Sequence, residues 1–210
     1  MFTGTDLKLA EKLVQTIRFF NAKGWSPATS TNYSVRSSNP NEFIISKSGV
    51  DKSQFELTDL ILINDQGVVL PPYNLTGVKS SAETEIHTEL YKRFPKVNCV
   101  LHTHSLLGTI LSQAMVKQWE LRFEGLEILK GLEGNATHEM TEGLPIVPNS
   151  QDMKDIMQFL EPQFNKQATL HGFLIAGHGL YSWGKDIPTA KRHIETFEFL
   201  LECYQVTRRI

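Results

Sequence analysis

Apolar positions along this chain alternate between two spacings, and each switch marks an element. Leu9, Leu13, Ile17 and Phe20 recur at helical spacing behind Thr5 or Asp6, either of which can cap a first helix, and Gly24 ends it. A hydroxyl-rich loop, residues 25–32, leads to a short strand around Tyr33–Arg36, turn chemistry at 37–41 and a second strand, Glu42–Ser46. Residues 60–64 and 68–70, separated by Asp65-Gln66-Gly67, predict a hairpin. Ser80 followed by Glu83 fits a capping box for a helix whose stripe is Ile86, Leu90 and Phe94, closed by Pro95. The apolar run 97–101 predicts a buried strand. Ser105 then caps a helix carrying Leu106, Ile110 and Met115.

The second half is less regular. Residues 123–132 form a short apolar and acidic segment holding Glu124, Glu127 and Lys130. Residues 145–148 resemble an edge strand, because Pro145 and Pro148 cannot donate ladder bonds. Residues 152–160 predict a helix, and 172–176 with 180–183 a hairpin around Gly177-His178-Gly179. The last helix starts near Pro188, buries Phe197, Phe199, Leu200 and Leu201, and runs to Arg208-Arg209. Strands interleaved with helices predict a layered α/β or α+β sheet, mixed because of its hairpins, in one domain over 1–210.

Composition narrows the function. A net charge of −2 over 210 residues provides no field to recruit nucleic acid or an anionic membrane. No apolar run reaches the ~20 residues that span a bilayer. The start, Met1-Phe2-Thr3-Gly4, lacks export features, and Cys99 and Cys203 have no paired spacing. The expected compartment is the cytoplasm.

The chemistry centres on Cys99-Val100-Leu101-His102-Thr103-His104-Ser105. Strand side chains alternate, so His102 and His104 share a face where the strand ends. Glycines beside His178 permit a turn that brings a third imidazole into reach. Three protein ligands with one open position are the pattern of a catalytic metal site. Such a His-x-His pair alone also fits histidines that bond neighbouring backbone. Three small polar loops, at Ser30-Thr31-Asn32, Ser48-Gly49 and Ser80-Ser81, offer amides and hydroxyls to a phosphate, or merely turn and cap. Glu83 and Glu127 are the candidate proton carriers. Leu126, Ile128 and Leu129 around Glu127 predict a partly desolvated carboxyl, which raises its pKa towards the range useful for acid–base work. His87, His138, His171 and His193 have no metal-ligand spacing.

Ser48-Gly49, Ser81-Ala82-Glu83 with His87, His102-Thr103-His104-Ser105 and Gly177-His178-Gly179, in this order, resemble the class II aldolase/adducin family over nearly the whole chain. Glu127–Gly131, Thr137-His138-Glu139 and the stretch 177–184 are most similar to its branch that dehydrates methylthioribulose 1-phosphate. The resemblance implies a three-layer α/β/α fold with a mixed, mostly antiparallel sheet, and a zinc lyase (hydro-lyase) of methionine salvage. It implies His102, His104 and His178 as ligands to one Zn2+ per subunit, and Asn32, Ser48, Gly49 and Ser81 around the phosphate of a sugar substrate. Glu127 falls on the acid–base glutamate of that branch, and Glu83, beside the substrate, on the base of family aldolases. A homotetramer with sites near subunit contacts is implied. Two positions depart from the family pattern: Thr31 stands where glycine is usual, and Ala82 where aldolases carry a phosphate-binding serine. The competing readings are a sugar-phosphate aldolase or epimerase using Glu83, and an adducin-like binding domain without metal.

Overall fold

The structure, a computed structural model, describes residues 2–166 and 170–207. Its strands are β1 (Tyr33–Arg36), β2 (Glu42–Ser46), β3 (Leu60–Asn64), β4 (Cys99–Thr103), β5 (Glu120–Phe123), β6 (Glu142–Val147), β7 (Gly172–Ile175) and β8 (Gly179–Gly184). The helices are α1 (Gly4–Ala22), α2 (Thr84–Arg93), α3 (Leu106–Met115), α4 (Met153–Lys166) and α5 (Ile187–Thr207). The strands join in the order β3-β2-β1-β4-β8-β7-β6-β5, and β6 with β7 is the parallel pair in an otherwise antiparallel series.

Strand alternation divides the core into two layers, one on each side of the sheet. Cys99, Leu101, Leu174 and Leu180 pack with residues of α1, α3 and α5. Val100, Phe173, Ile175, Tyr181 and Trp183 pack with α2 and α4 on the other face. The result is the expected three-layer α/β/α arrangement. β4 lies near the sheet centre, between β1 and β8, so its C-terminal end delivers His102 into buried surroundings. Among the described residues no helix is long and apolar enough to cross a membrane.

Several local expectations shift, each for a physical reason. Helix α1 begins at Gly4 behind Thr3, because the Asp6 carboxylate accepts from the Ser38 amide at 2.7 Å instead of capping. The outer arm at 68–70 shrinks to one bridge, Ile63 to Val69. Strand β4 starts at Cys99, two residues later than the apolar run. Ser105 caps α3 as predicted, accepting from the Gly108 amide, but Leu106 and Ile110 face outward while Leu111 and Met115 are buried. Phe199 likewise faces outward, whereas Phe197, Leu200 and Leu201 are buried. The proline-containing strand β6 is not an edge, since β5 lies outside it. Pro145 is tolerated because the ladder to β7 begins only at Ile146. The Arg208-Arg209 end lies outside the described residues.

Candidate metal centre and its cleft

His102 and His104 leave the end of β4 on the α2 side of the sheet, and glycine geometry brings His178 to them. Gly177 turns with φ +64°, and a Cβ there would meet the Gln113 side chain at 2.5 Å. A Cβ on Gly179 would strike the Thr103 carbonyl and approach His104 Cδ2 to 2.9 Å, so only glycine lets β8 pass this close to the histidine segment. Helix α3 holds the turn: Thr109 donates to the His178 carbonyl at 3.0 Å, and the Gly177 amide donates to Ser112 at 3.0 Å.

The three ring Nε2 atoms converge. His104 Nε2 lies 2.7 Å from His102 Nε2, which lies 3.3 Å from His178 Nε2. Glu83 joins them, with Oε1 at 2.9 Å from His178 Nε2 and Oε2 at 3.7 Å from His102 Nε2. All four donor atoms lie within 4.8 Å of one another. His102 Nδ1 faces the Leu180 carbonyl at 2.9 Å and must donate to it, which leaves the Nε2 lone pair aimed at the cluster. Burial holds the His102 pKa well below the usual histidine range and pushes His104 down to about 4. Burial would raise the Glu83 pKa, but His102, His178 and His104 outweigh it and hold the carboxyl well below its ordinary range. The His102 Nε2 lone pair therefore faces the Nε2 atoms of His104 and His178 and the Glu83 carboxylate across one small space. Three imidazoles and one carboxylate suit a divalent transition metal.

A buried chain of hydrogen bonds stands behind Glu83. The Asn32 amide donates to Glu83 Oε2, and Tyr181 OH donates to the same oxygen at 3.2 Å. Because Asn32 spends its NH2 on the carboxylate, its Oδ1 must accept from His87 Nε2–H. His87 Nδ1 then accepts from Ser34 at 2.7 Å, and Ser34 accepts from Tyr91 at 2.8 Å. Burial pushes the His87 pKa down to about 3, consistent with this neutral tautomer. Tyr181 also stacks on His102, at 3.9 Å between centroids and 13° between planes.

A cleft of about 540 Å³ opens over the cluster, lined by Glu83, His104 and His178 together with Ser48, Ser81, Thr109 and others. Ser48 and Ser81 thus lie on the wall of the same cleft as the histidines. Gly49, beside Ser48, adopts φ +72° with open space around it. Thr31 also adopts φ +72°, the conformation a glycine would take without strain.

Three expectations change here. Asn32 is almost wholly buried and its side chain is committed to His87 and Glu83, so its amide is not free for a phosphate. Glu83 makes no helix cap; its residue occupies the N-cap position of α2 while its carboxylate turns to the histidines. Glu127 is not desolvated. Its side chain is 69% exposed, it pairs with Lys130, and it lies 3.7 Å from His138 Nδ1. Lys130 holds its carboxyl below the ordinary range. It does not line the cleft of its own chain. Residue patterns missed Glu83 as a fourth donor, because Ser80-x-x-Glu83 offered it a complete local role. They missed His87 and Tyr181 as its supports because neither has ligand spacing.

The family model for the Class II Aldolase and Adducin N-terminal domain matches residues 11–205. The chain belongs to this family. A methylthioribulose-1-phosphate dehydratase of Picosynechococcus sp. is 48% identical over 193 residues, covering 92% of this chain and 89% of that protein. A methylthioribulose-1-phosphate dehydratase of Stenotrophomonas maltophilia is 41% identical over 203 residues, 97% of this chain and 92% of its own. Among solved structures, an L-fuculose 1-phosphate aldolase superposes with a TM-score of 0.77 at 14% identity, over 99% of this chain and 88% of that one. The L-fuculose-1-phosphate aldolase of Thermus thermophilus gives 0.74 at 21% identity, over 96% and 95%. These two likenesses establish the class II aldolase fold.

Proposed function

We propose that this chain is a zinc-dependent hydro-lyase that removes water from 5-methylthioribulose 1-phosphate, giving 5-methylthio-2,3-diketopentyl 1-phosphate in methionine salvage. The observation that carries the reading is the four-donor cluster at the cleft floor, in a chain 48% identical to a protein bearing the dehydratase name. His102, His104, His178 and Glu83 would hold the ion. A divalent ion there supplies Lewis-acid stabilisation of the negative charge that develops when a proton leaves the carbon next to a carbonyl. Ser48 and Ser81 line the cleft, and in this reading their hydroxyls, with the Gly49 amide beside Ser48, donate to the substrate phosphate.

Acid–base work falls to Glu127. Glu83 is a poor proton carrier, because the histidines and two hydrogen bonds favour its ionised form. The exposure of Glu127 on its own chain, with no place on the cleft wall, supports a site completed by a neighbouring copy. Leu106 and Ile110, one helical turn apart on the outer face of α3, are 72% and 49% exposed and flank cleft residue Thr109, as expected where a second copy packs. In this reading the assembly is a homotetramer working in the cytoplasm, with one Zn2+ per subunit. Incubating the purified protein with 5-methylthioribulose 1-phosphate should yield the water-eliminated diketone by mass spectrometry. Cleavage into two smaller carbonyl compounds would instead favour a sugar-phosphate aldolase with Glu83 as base.

A further inference from the structure

Glu198 is a carboxyl in the wrong place for a core. It sits on α5 at 3% exposure, among Phe197, Leu200 and Leu201 of the same helix. Burying a carboxyl here is costly, and burial together with nearby Glu202 pushes its pKa up to about 7 despite two hydroxyl donors. A leucine would pack at less cost, so the partners of the carboxyl indicate what it does. They are the two residues that interleave with the metal-ligand histidines. Thr103 Oγ1 donates to Glu198 Oε1 at 3.0 Å, with Thr103 itself fully buried. Ser105 is the second donor. Ser105 Oγ already accepts the Gly108 amide at 2.9 Å as the cap of α3, so its own hydrogen is free for Glu198.

The geometry follows from strand alternation. His102 points to the α2 face and the cluster, while Thr103 points to the opposite face, where α5 packs. The same backbone is fixed along its edge by two further bonds, His102 N–H to the Asn32 carbonyl at 3.1 Å and His104 N–H to the Trp25 carbonyl at 2.8 Å. Glu198 supplies the grip from behind. From these contacts we infer that Glu198 is a positioning residue for the metal centre, fixing the His102–His104 backbone through Thr103 and Ser105. This rests on the reading of the histidine cluster as a metal site. The role of Glu198 is exerted through the two hydroxyls.

The test uses the metal-loaded protein and four variants: Glu198→Ala, Glu198→Gln, Thr103→Val and Thr103→Ser. Metal release to a chromogenic chelator gives relative affinity, and the visible absorption of the cobalt-substituted protein reports ligand geometry. Supporting residues behind metal ligands typically contribute 10–100-fold to affinity. Glu198→Ala and Thr103→Val should therefore lose at least about tenfold and shift the cobalt bands. Glu198→Gln and Thr103→Ser, which keep an acceptor and a hydroxyl, should stay near wild type. Thr103→Val is nearly isosteric, so it decides the matter even where Glu198→Ala fails to fold. Wild-type affinity and bands in Thr103→Val would overturn the role of Glu198, as would equal losses in Thr103→Val and Thr103→Ser. A wild-type protein that retains no metal would defeat the metal site itself and this role with it.

Discussion

Replacing Asn32 with leucine probes the chain that runs Tyr91–Ser34–His87–Asn32–Glu83. The leucine is close in shape but can neither donate nor accept. Glu83 Oε2 loses a charge-assisted bond, at roughly 1.5–3 kcal/mol, and the buried His87 Nε2–H is left without an acceptor, at roughly 1–3 kcal/mol more. Urea unfolding of the metal-free protein should therefore show a loss of about 3–5 kcal/mol. His87→Phe alone removes the ring from Asn32 and Ser34 and also destabilises. In the double variant the orphaned N–H no longer exists, and Ser34 keeps Tyr91. The double variant should therefore cost at least about 1 kcal/mol less than the two single losses added together. Additivity within about 0.5 kcal/mol, or a loss below about 1 kcal/mol in Asn32→Leu, would refute the coupling.

Three further outcomes follow from the geometry. Thr31→Gly should raise stability by about 1 kcal/mol in thermal unfolding, since a β-branched residue is strained at φ +72° and glycine is not. Glu127→Gln should lower turnover at least ~10²-fold with metal content unchanged, whereas Glu83→Gln should lower metal retention; elemental analysis beside the rate assay separates the two. Glu198, with its folded pKa raised to about 7 above its ordinary value, binds more protons folded than unfolded. Its contribution is thus fully present at low pH and is lost as pH rises from about 4.5 to 7. Denaturant midpoints across that window should fall more steeply for wild type than for Glu198→Gln.

Hydrophobic spacing was a good guide wherever one face is simply buried. Glu42–Ser46 has the predicted limits, and Ser105 caps α3 as its sequence suggests. The three histidines were legible because strand alternation and flanking glycines are local signals. Legibility failed where a residue had a plausible local role and a stronger distant one. Glu83 reads as a capping-box partner, yet attraction to three imidazoles across the sheet end prevails. Asn32 reads as a turn residue, yet its amide is the link between His87 and Glu83. The apolar neighbours of Glu127 suggested burial, but Ile128 is itself exposed and Leu129 alone is fully buried, so the carboxyl stays in solvent. Pro145 suggested an edge, and nothing local reveals that β5 pairs outside it.

The metal centre is tested most directly by titrating a divalent ion into metal-stripped protein while following water elimination from 5-methylthioribulose 1-phosphate. Three imidazoles and a carboxylate converging within 4.8 Å predict no turnover in the stripped protein and a linear rise that breaks at about one ion per chain. Undiminished turnover without metal, or a His178→Ala variant that titrates like wild type, would contradict it.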